Sequence, residues 1–206
     1  MKIEILLKIT RKLGILALLL ILSSCHSNGQ IKSGIYDNGL KLAYNPSTNS
    51  LTGIFENYSG YDENTGNHRF SCIFYIQGFL LNNASEIETF YPLDKSETLI
   101  AGELNRLEDS IISIKLNEEH GGCWNVWNFA DDFSKFSLEE SKNWLEIKYV
   151  VIEKAFFYHE KIESTKRKAY VLKGDLVFID KIESDWIHCN FYGKTVTQGW
   201  LRRSSV

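Results

Sequence analysis

Proline is scarce in this chain: Pro46 and Pro92 are the only two in 206 residues, while Trp, Tyr and Phe make up 13%. Few prolines and many aromatics exclude the composition of disorder and point to packed β-structure. Long amphipathic patterns are also missing, which argues against a helical bundle or a parallel α/β sheet. No apolar run of eighteen residues follows Cys25, so nothing after it reads as a membrane-spanning helix. Metal-ligand spacing is lacking too. His120 and Cys123 supply two ligands without a second pair, so neither a metal nor a cofactor is expected.

What is present begins with an address. Lys2, Lys8, Arg11 and Lys12 precede the apolar run Leu13–Leu22, which fits the core of a secretory signal and is too short to span a bilayer. The segment that closes it, Leu22-Ser23-Ser24-Cys25, resembles the bacterial lipobox. That resemblance implies cleavage before Cys25, diacylation of its sulfur and acylation of the new amine. Residues 1–24 are then a lipoprotein signal peptide and residues 25–32, polar from His26 to Lys32, a tether. The expected location is the bacterial cell envelope, anchored to a membrane by lipid and facing an extracytoplasmic compartment.

Removing residues 1–25 takes away four of the 23 basic and one of the 26 acidic residues, leaving 19 against 25, a net charge of −6. A nucleic-acid partner is not expected at that charge. Cys72, Cys123 and Cys189 remain, in a compartment where disulfides persist. Cys189 reads as an inward position of the strand-like Trp186-Ile187-His188-Cys189-Asn190-Phe191, so the expected bridge is Cys72–Cys123.

The folded part is expected to be all-β in two domains, 33–148 and 149–206. In the first, Leu40–Tyr44 and Leu51–Phe55 flank a turn cluster at Asn45–Ser50, Tyr61–His68 reads as a loop, and Arg69–Leu81 reads as a strand buried on both faces. Strands at such intervals describe an antiparallel β-sandwich or a small barrel; Gly34-Ile35-Tyr36 with the hairpin after it resembles lipocalin-like barrels.

The second domain carries Lys173-Gly174-Asp175 before Leu176–Ile179, Ser184-Asp185 before Trp186–Cys189, and Gly199-Trp200-Leu201 near the end. This order resembles the bacterial SH3 domain and implies a small five-stranded barrel, with Gly174 at a turn and Trp200 buried. Many wall-binding members have a Leu-Asn-Val-Arg-type first strand, where this chain has Ala155-Phe156-Phe157-Tyr158. The candidate binding residues are Tyr158, Trp186 and Tyr192, with Tyr158 and Trp186 expected to be partly exposed.

His120-Gly121-Gly122-Cys123-Trp124 is the one segment of the first domain that could carry chemistry, a base near a thiol. Cell-wall cysteine peptidases that carry SH3-like domains have an Asp-Cys-Ser-Gly segment opening a helix, and this chain has none. No catalytic residue is therefore assigned, and no enzyme is expected. The leading expectation is a lipid-anchored envelope protein that binds a wall component, such as peptidoglycan, or a protein. The alternative is an inhibitor or immunity-type protein that blocks a hydrolase, and a third reading, ranked last, is a cysteine-dependent enzyme using His120 and Cys123.

Overall fold

The structure, a computed structural model, describes residues 31–81 and 84–206. The signal segment, the lipobox and Cys25 lie outside the described residues. Eight strands form a closed antiparallel barrel: β1 Gly34–Tyr36, β2 Leu40–Asn45, β3 Ser50–Asp62, β4 Asn67–Leu81, β5 Ala84–Phe90, β6 Ile100–Glu108, β7 Ile111–Leu116 and β8 Ser134–Ser141. Each strand pairs with the next in sequence, and β1 closes on β8 through Gly34↔Ser141 and Ile35↔Glu140. Of the two expected architectures, sandwich or barrel, the structure adopts the barrel.

Period-two alternation builds its interior. Leu40, Leu42, Leu51, Phe55, Phe74, Ile76, Leu104, Ile112 and Ile114 are buried in one cluster, with Phe129 and Phe136 added from the β7–β8 connection and β8. Phe55 packs on Phe74 at 5.3 Å and edge-on against Phe129 at 4.9 Å. Outward positions include the exposed Glu86, the half-buried Glu88, which is paired with Lys95, and Lys115. An apolar inside with charges outside reverses the pattern of a barrel that spans a membrane.

Six further strands follow: β9 Glu146–Tyr149, β10 Lys154–Tyr158, β11 Lys166–Leu172, β12 Leu176–Glu183, β13 Trp186–Tyr192 and β14 Val196–Arg202. They form one sheet in the order β11-β10-β14-β13-β12-β9. Val150, Ala155, Phe157, Val171, Val177, Ile179, Ile187, Cys189 and Leu201 make a single buried cluster drawn from both ends of this sheet, so it curls around its own core. Where a small five-stranded barrel was expected there is a sheet of six strands, and the stretch 149–157 is divided between β9 and β10. Because β9 pairs with β12, residues 146–148 belong to the second sheet, and the crossover from the barrel falls at 142–145, before position 149.

The second sheet lies against the flank of the barrel. Ala43, Ile54, Tyr75 and Phe90 point outward from the barrel yet are buried, because Trp144, Ile147, Tyr149, Leu176 and Phe178 cover them. Polar groups join this apolar seam: Tyr75 Oη donates to the Ile147 carbonyl at 2.6 Å, and Ile147 N–H donates to Thr52 Oγ1 at 2.8 Å. That cover explains the apolar residues on both faces of the middle of β4. Arg69, Phe70 and Ser71 are exposed instead, and the stretch read as the loop Tyr61–His68 is a four-residue turn, 63–66, between the paired ends of β3 and β4. There β3 and β4 continue as a two-stranded ribbon, paired through Tyr61↔His68 and Asp62↔Asn67.

Candidate functional site

Cys72 on β4 is bonded to Cys123, as expected, across a sequence separation of 51. Gly122 makes this possible. It adopts φ 86°, and a Cβ there would meet the Ser71 carbonyl oxygen at 2.8 Å. The bridge ties the β7–β8 connection over one end of the barrel. Glu119 Oε1 fastens the same segment by accepting from the Phe129 and Ala130 amides.

His120 is buried beneath this segment, stacked on Phe74 at 4.9 Å. Thr89 donates its hydroxyl hydrogen to the Ile100 carbonyl at 3.0 Å, so His120 Nε2, 2.8 Å from that hydroxyl, is the donor to it. Burial lowers the His120 pKa to about 4. The sulfur of Cys123 is committed to the bridge, so the neighbouring imidazole has no thiol there to activate. Asp131 and Asp132 stand in an exposed turn, where Asp131 Oδ2 accepts from Asn128 Nδ2 at 2.6 Å.

Two of the three expected binding residues are not exposed. Trp186 retains 7% and Tyr158 8% of its accessible surface. Their rings pack edge to face at 4.9 Å, and the Arg202 guanidinium lies 3.9 Å from the Trp186 ring centre. Glu163 holds this roof in place, accepting from Tyr158 Oη at 2.9 Å and from Arg202 Nε at 2.9 Å. Trp200, expected to be substantially buried, is half-buried. Strand alternation turns Leu201 inward, fully buried, while Trp200 faces outward beside His188 at 5.3 Å. Gly174 is at φ 90° in the turn before β12, as its position implied. Cys189 is a buried free thiol whose pKa burial pushes up, which leaves it inert.

Tyr192 is the third candidate, 45% exposed, and it borders a groove of ≈ 460 Å³. Trp144 and Phe178 line this groove with it, Tyr192 meeting Phe178 edge-on at 5.0 Å. Lys41 and Glu56, 3.8 Å apart on β2 and β3, supply its charged side. The groove therefore lies where the second sheet meets the barrel, with an apolar aromatic wall from one unit and an ion pair from the other. Sequence reading missed Trp144, Phe178, Lys41 and Glu56. The only legible signal was a tryptophan in a connecting segment, since partners from separate units are matched by tertiary packing alone.

Two other surfaces gather polar or aromatic side chains. A polar concavity of ≈ 580 Å³ is bordered by His159, Arg167, His188 and Gln198, and Asp180 Oδ1 lies 2.6 Å from His188 Nδ1. The projecting β3–β4 ribbon displays Tyr58 and Tyr61 around His68, with ring centres at 5.5 and 5.2 Å, and its Ser59 hydroxyl holds the Asn125 carbonyl beside the exposed Trp124. Among the described residues, no group of three or more His, Cys, Asp or Glu side chains is arranged to hold a metal ion.

These features define an all-β protein in which a closed eight-stranded barrel carries a curled six-stranded sheet on its flank, with an aromatic groove at their junction. Comparison of the chain with protein-family models, curated proteins and solved structures returned no match.

Proposed function

We propose that this chain is a lipid-anchored, non-catalytic binding protein of the bacterial envelope, whose groove takes an extended segment of a wall component or of a protein. The observation that carries this reading is the groove itself: four aromatic side chains, Trp144, Phe178, Phe191 and Tyr192, and an ion pair between two internally packed units. The second sheet is read as an SH3-like domain. The positive-φ residues Gly174 and Ser184 at the turns before β12 and β13, and Gly199-Trp200 in β14, support that reading. The lipobox-like Leu22-Ser23-Ser24-Cys25 supports the anchor.

The test uses a soluble chain, residues 25–206 with Cys25→Ser. Trp144 borders the groove, so its emission reports on occupancy when soluble peptidoglycan fragments are added, and affinity capture from envelope extract reports protein partners. Tyr192→Ala should weaken whichever binding is found about tenfold, as for an aromatic anchor contributing more than about 1 kcal/mol. Unchanged binding in both Tyr192→Ala and Lys41→Glu would dismiss the groove as the site.

A second reading, an inhibitor of an envelope hydrolase, is favoured by the ribbon and the β7–β8 connection held beside it, where Tyr61 of the first is 61% and Trp124 of the second 69% exposed. Aromatic side chains on a projecting, hydrogen-bonded support suit insertion into an enzyme's cleft. Loss of capture in Tyr61→Ala with Trp124→Ala, and not in Tyr192→Ala, would select this reading.

A further inference from the structure

The barrel has two chemically different ends. Register places Ile31–Ser33, the Asn45–Ser50 turn, the far ends of β4 and β5, and the β6–β7 turn at one of them: Gly34 pairs with Leu42, Ser50 with Phe79, Leu81 with Ala84, and Glu108 with Ile111. The described chain enters here, with Ile31 buried in the barrel core. Three large apolar side chains stand exposed at the same end: Phe79 at 64%, Leu81 at 73% and Leu107 at 48%. Nothing within the described chain covers them, and each lies on or beside a hydrogen-bonded strand that holds it outward.

The surrounding charge is nearly balanced. Asp109 is paired with Arg106 at 3.2 Å and Glu140 with Lys142, which leaves Lys32 and Glu108 of opposite sign; Glu86, the cross-strand partner of Phe79, and Glu103 opposite it tip the balance slightly acidic. The Asn45–Ser50 turn is uncharged. The other end also exposes apolar side chains, Leu93 and Leu99 among them, but there the segments 62–67 and 90–100 intersperse them with Asp62, Glu63, Asp94, Lys95 and Glu97.

We infer that Phe79, Leu81 and Leu107 form a membrane-contacting end that rests in the headgroup and upper acyl region of a neutral, zwitterionic bilayer. The inference rests on the lipid-anchored reading of Cys25. Only six peptide steps separate Cys25 from Ile31, so even a fully extended tether spans no more than about 20 Å. A lipid on Cys25 therefore keeps this end of the barrel near the membrane, and three apolar side chains are what such a surface accepts. The near balance of charge selects neutral headgroups, because no basic cluster is present here to attract anionic ones. This orientation directs the ribbon with Tyr61, at the opposite end of the barrel, away from the membrane.

The test uses the mature chain, residues 25–206, coupled through Cys25 to maleimide-bearing lipid in phosphatidylcholine vesicles with brominated acyl chains. Cys25 is the reactive thiol, since Cys72 and Cys123 are bonded and Cys189 is buried. Phe79→Trp, Leu81→Trp and Tyr61→Trp each add one emitter to the five native tryptophans. All three positions are exposed, so the fold tolerates the changes.

The expected result is that Phe79→Trp and Leu81→Trp lose most of their added emission to the brominated chains while Tyr61→Trp keeps it. Equal quenching at all three positions, or stronger quenching at Tyr61→Trp, overturns the orientation. A concentration-dependent dimer that disappears in Leu81→Ser, with no quenching, assigns the apolar end to a second copy and overturns the proposal as well. The synthetic anchor separates this question from native lipidation. If mass spectrometry of the exported protein shows an unacylated Cys25, the anchored reading itself falls, whatever the vesicles show.

Discussion

His120 shows how burial turns a side chain that attracts catalytic readings into a structural one. Its imidazole is enclosed by Phe74, Thr89 and Tyr91, and its pKa is lowered to about 4 from 6.5. Above pH 6.5 the ring is neutral whether the chain is folded or not, and it adds no pH dependence. As pH falls from 6.5 towards 4, the unfolded chain takes up a proton that the folded chain refuses, so stability declines by up to roughly 3 kcal/mol. Denaturant melts across this window should show the decline, and His120→Gln should make it shallower. An identical slope in the variant would assign the decline to other groups. Trp200 and Leu201 offer a second check at this scale. Leu201→Ala should cost about 2–5 kcal/mol by leaving a cavity, and Trp200→Ala clearly less, because Leu201 alone of the two is fully buried. Thermal melts of the two variants read the difference directly.

Among the elements, the β7–β8 connection and β9 decide most. The connection caps the barrel by inserting Phe129 and is held by the Cys72–Cys123 bridge. Cross-linking residues that far apart removes loop-closure entropy from the unfolded chain worth on the order of 4 kcal/mol. Cys72→Ala with Cys123→Ala should lower stability by an amount of that order, and reduction of the native protein should have a similar effect in chemical denaturation. Strand β9 is short, yet it pairs with β12 and lies against β2 and β3. A fragment 150–206 lacks this edge and exposes Phe178 and Leu176. It should melt at a lower temperature and less cooperatively than a fragment 142–206, as followed by near-ultraviolet circular dichroism. Equal melts would mean that β9 serves only the contact with the barrel.

For the whole molecule, the question is whether barrel and sheet unfold together. Their seam is apolar and pinned by the bonds from Tyr75 to Ile147 and from Ile147 to Thr52, so one calorimetric transition is expected for the native chain. Tyr75→Phe leaves the buried Ile147 carbonyl without this donor, at a cost of about 1–3 kcal/mol. Ile54→Lys should go further and split the transition in two, because it places a charge in the seam. A single transition in that variant would show the two units to be coupled by other contacts.

Much of the architecture was legible in the sequence, because it rests on local rules. Alternation in Leu40–Tyr44 and Ile111–Leu116 marks strands, Gly174 marks a turn needing positive φ, and the odd cysteine in an inward strand position leaves Cys72 and Cys123 to pair. The tertiary structure alone decided which outward residues were buried. Alternation assigns Ala43, Ile54 and Tyr75 to the outer face of a barrel but does not say that a second sheet covers that face. The same limit hid the burial of Trp186 and Tyr158, which depends on Arg202 and Glu163 arriving from another strand and a turn. It also hid the groove, whose aromatic wall and ion pair lie far apart in the chain and meet because two apolar surfaces exclude water together.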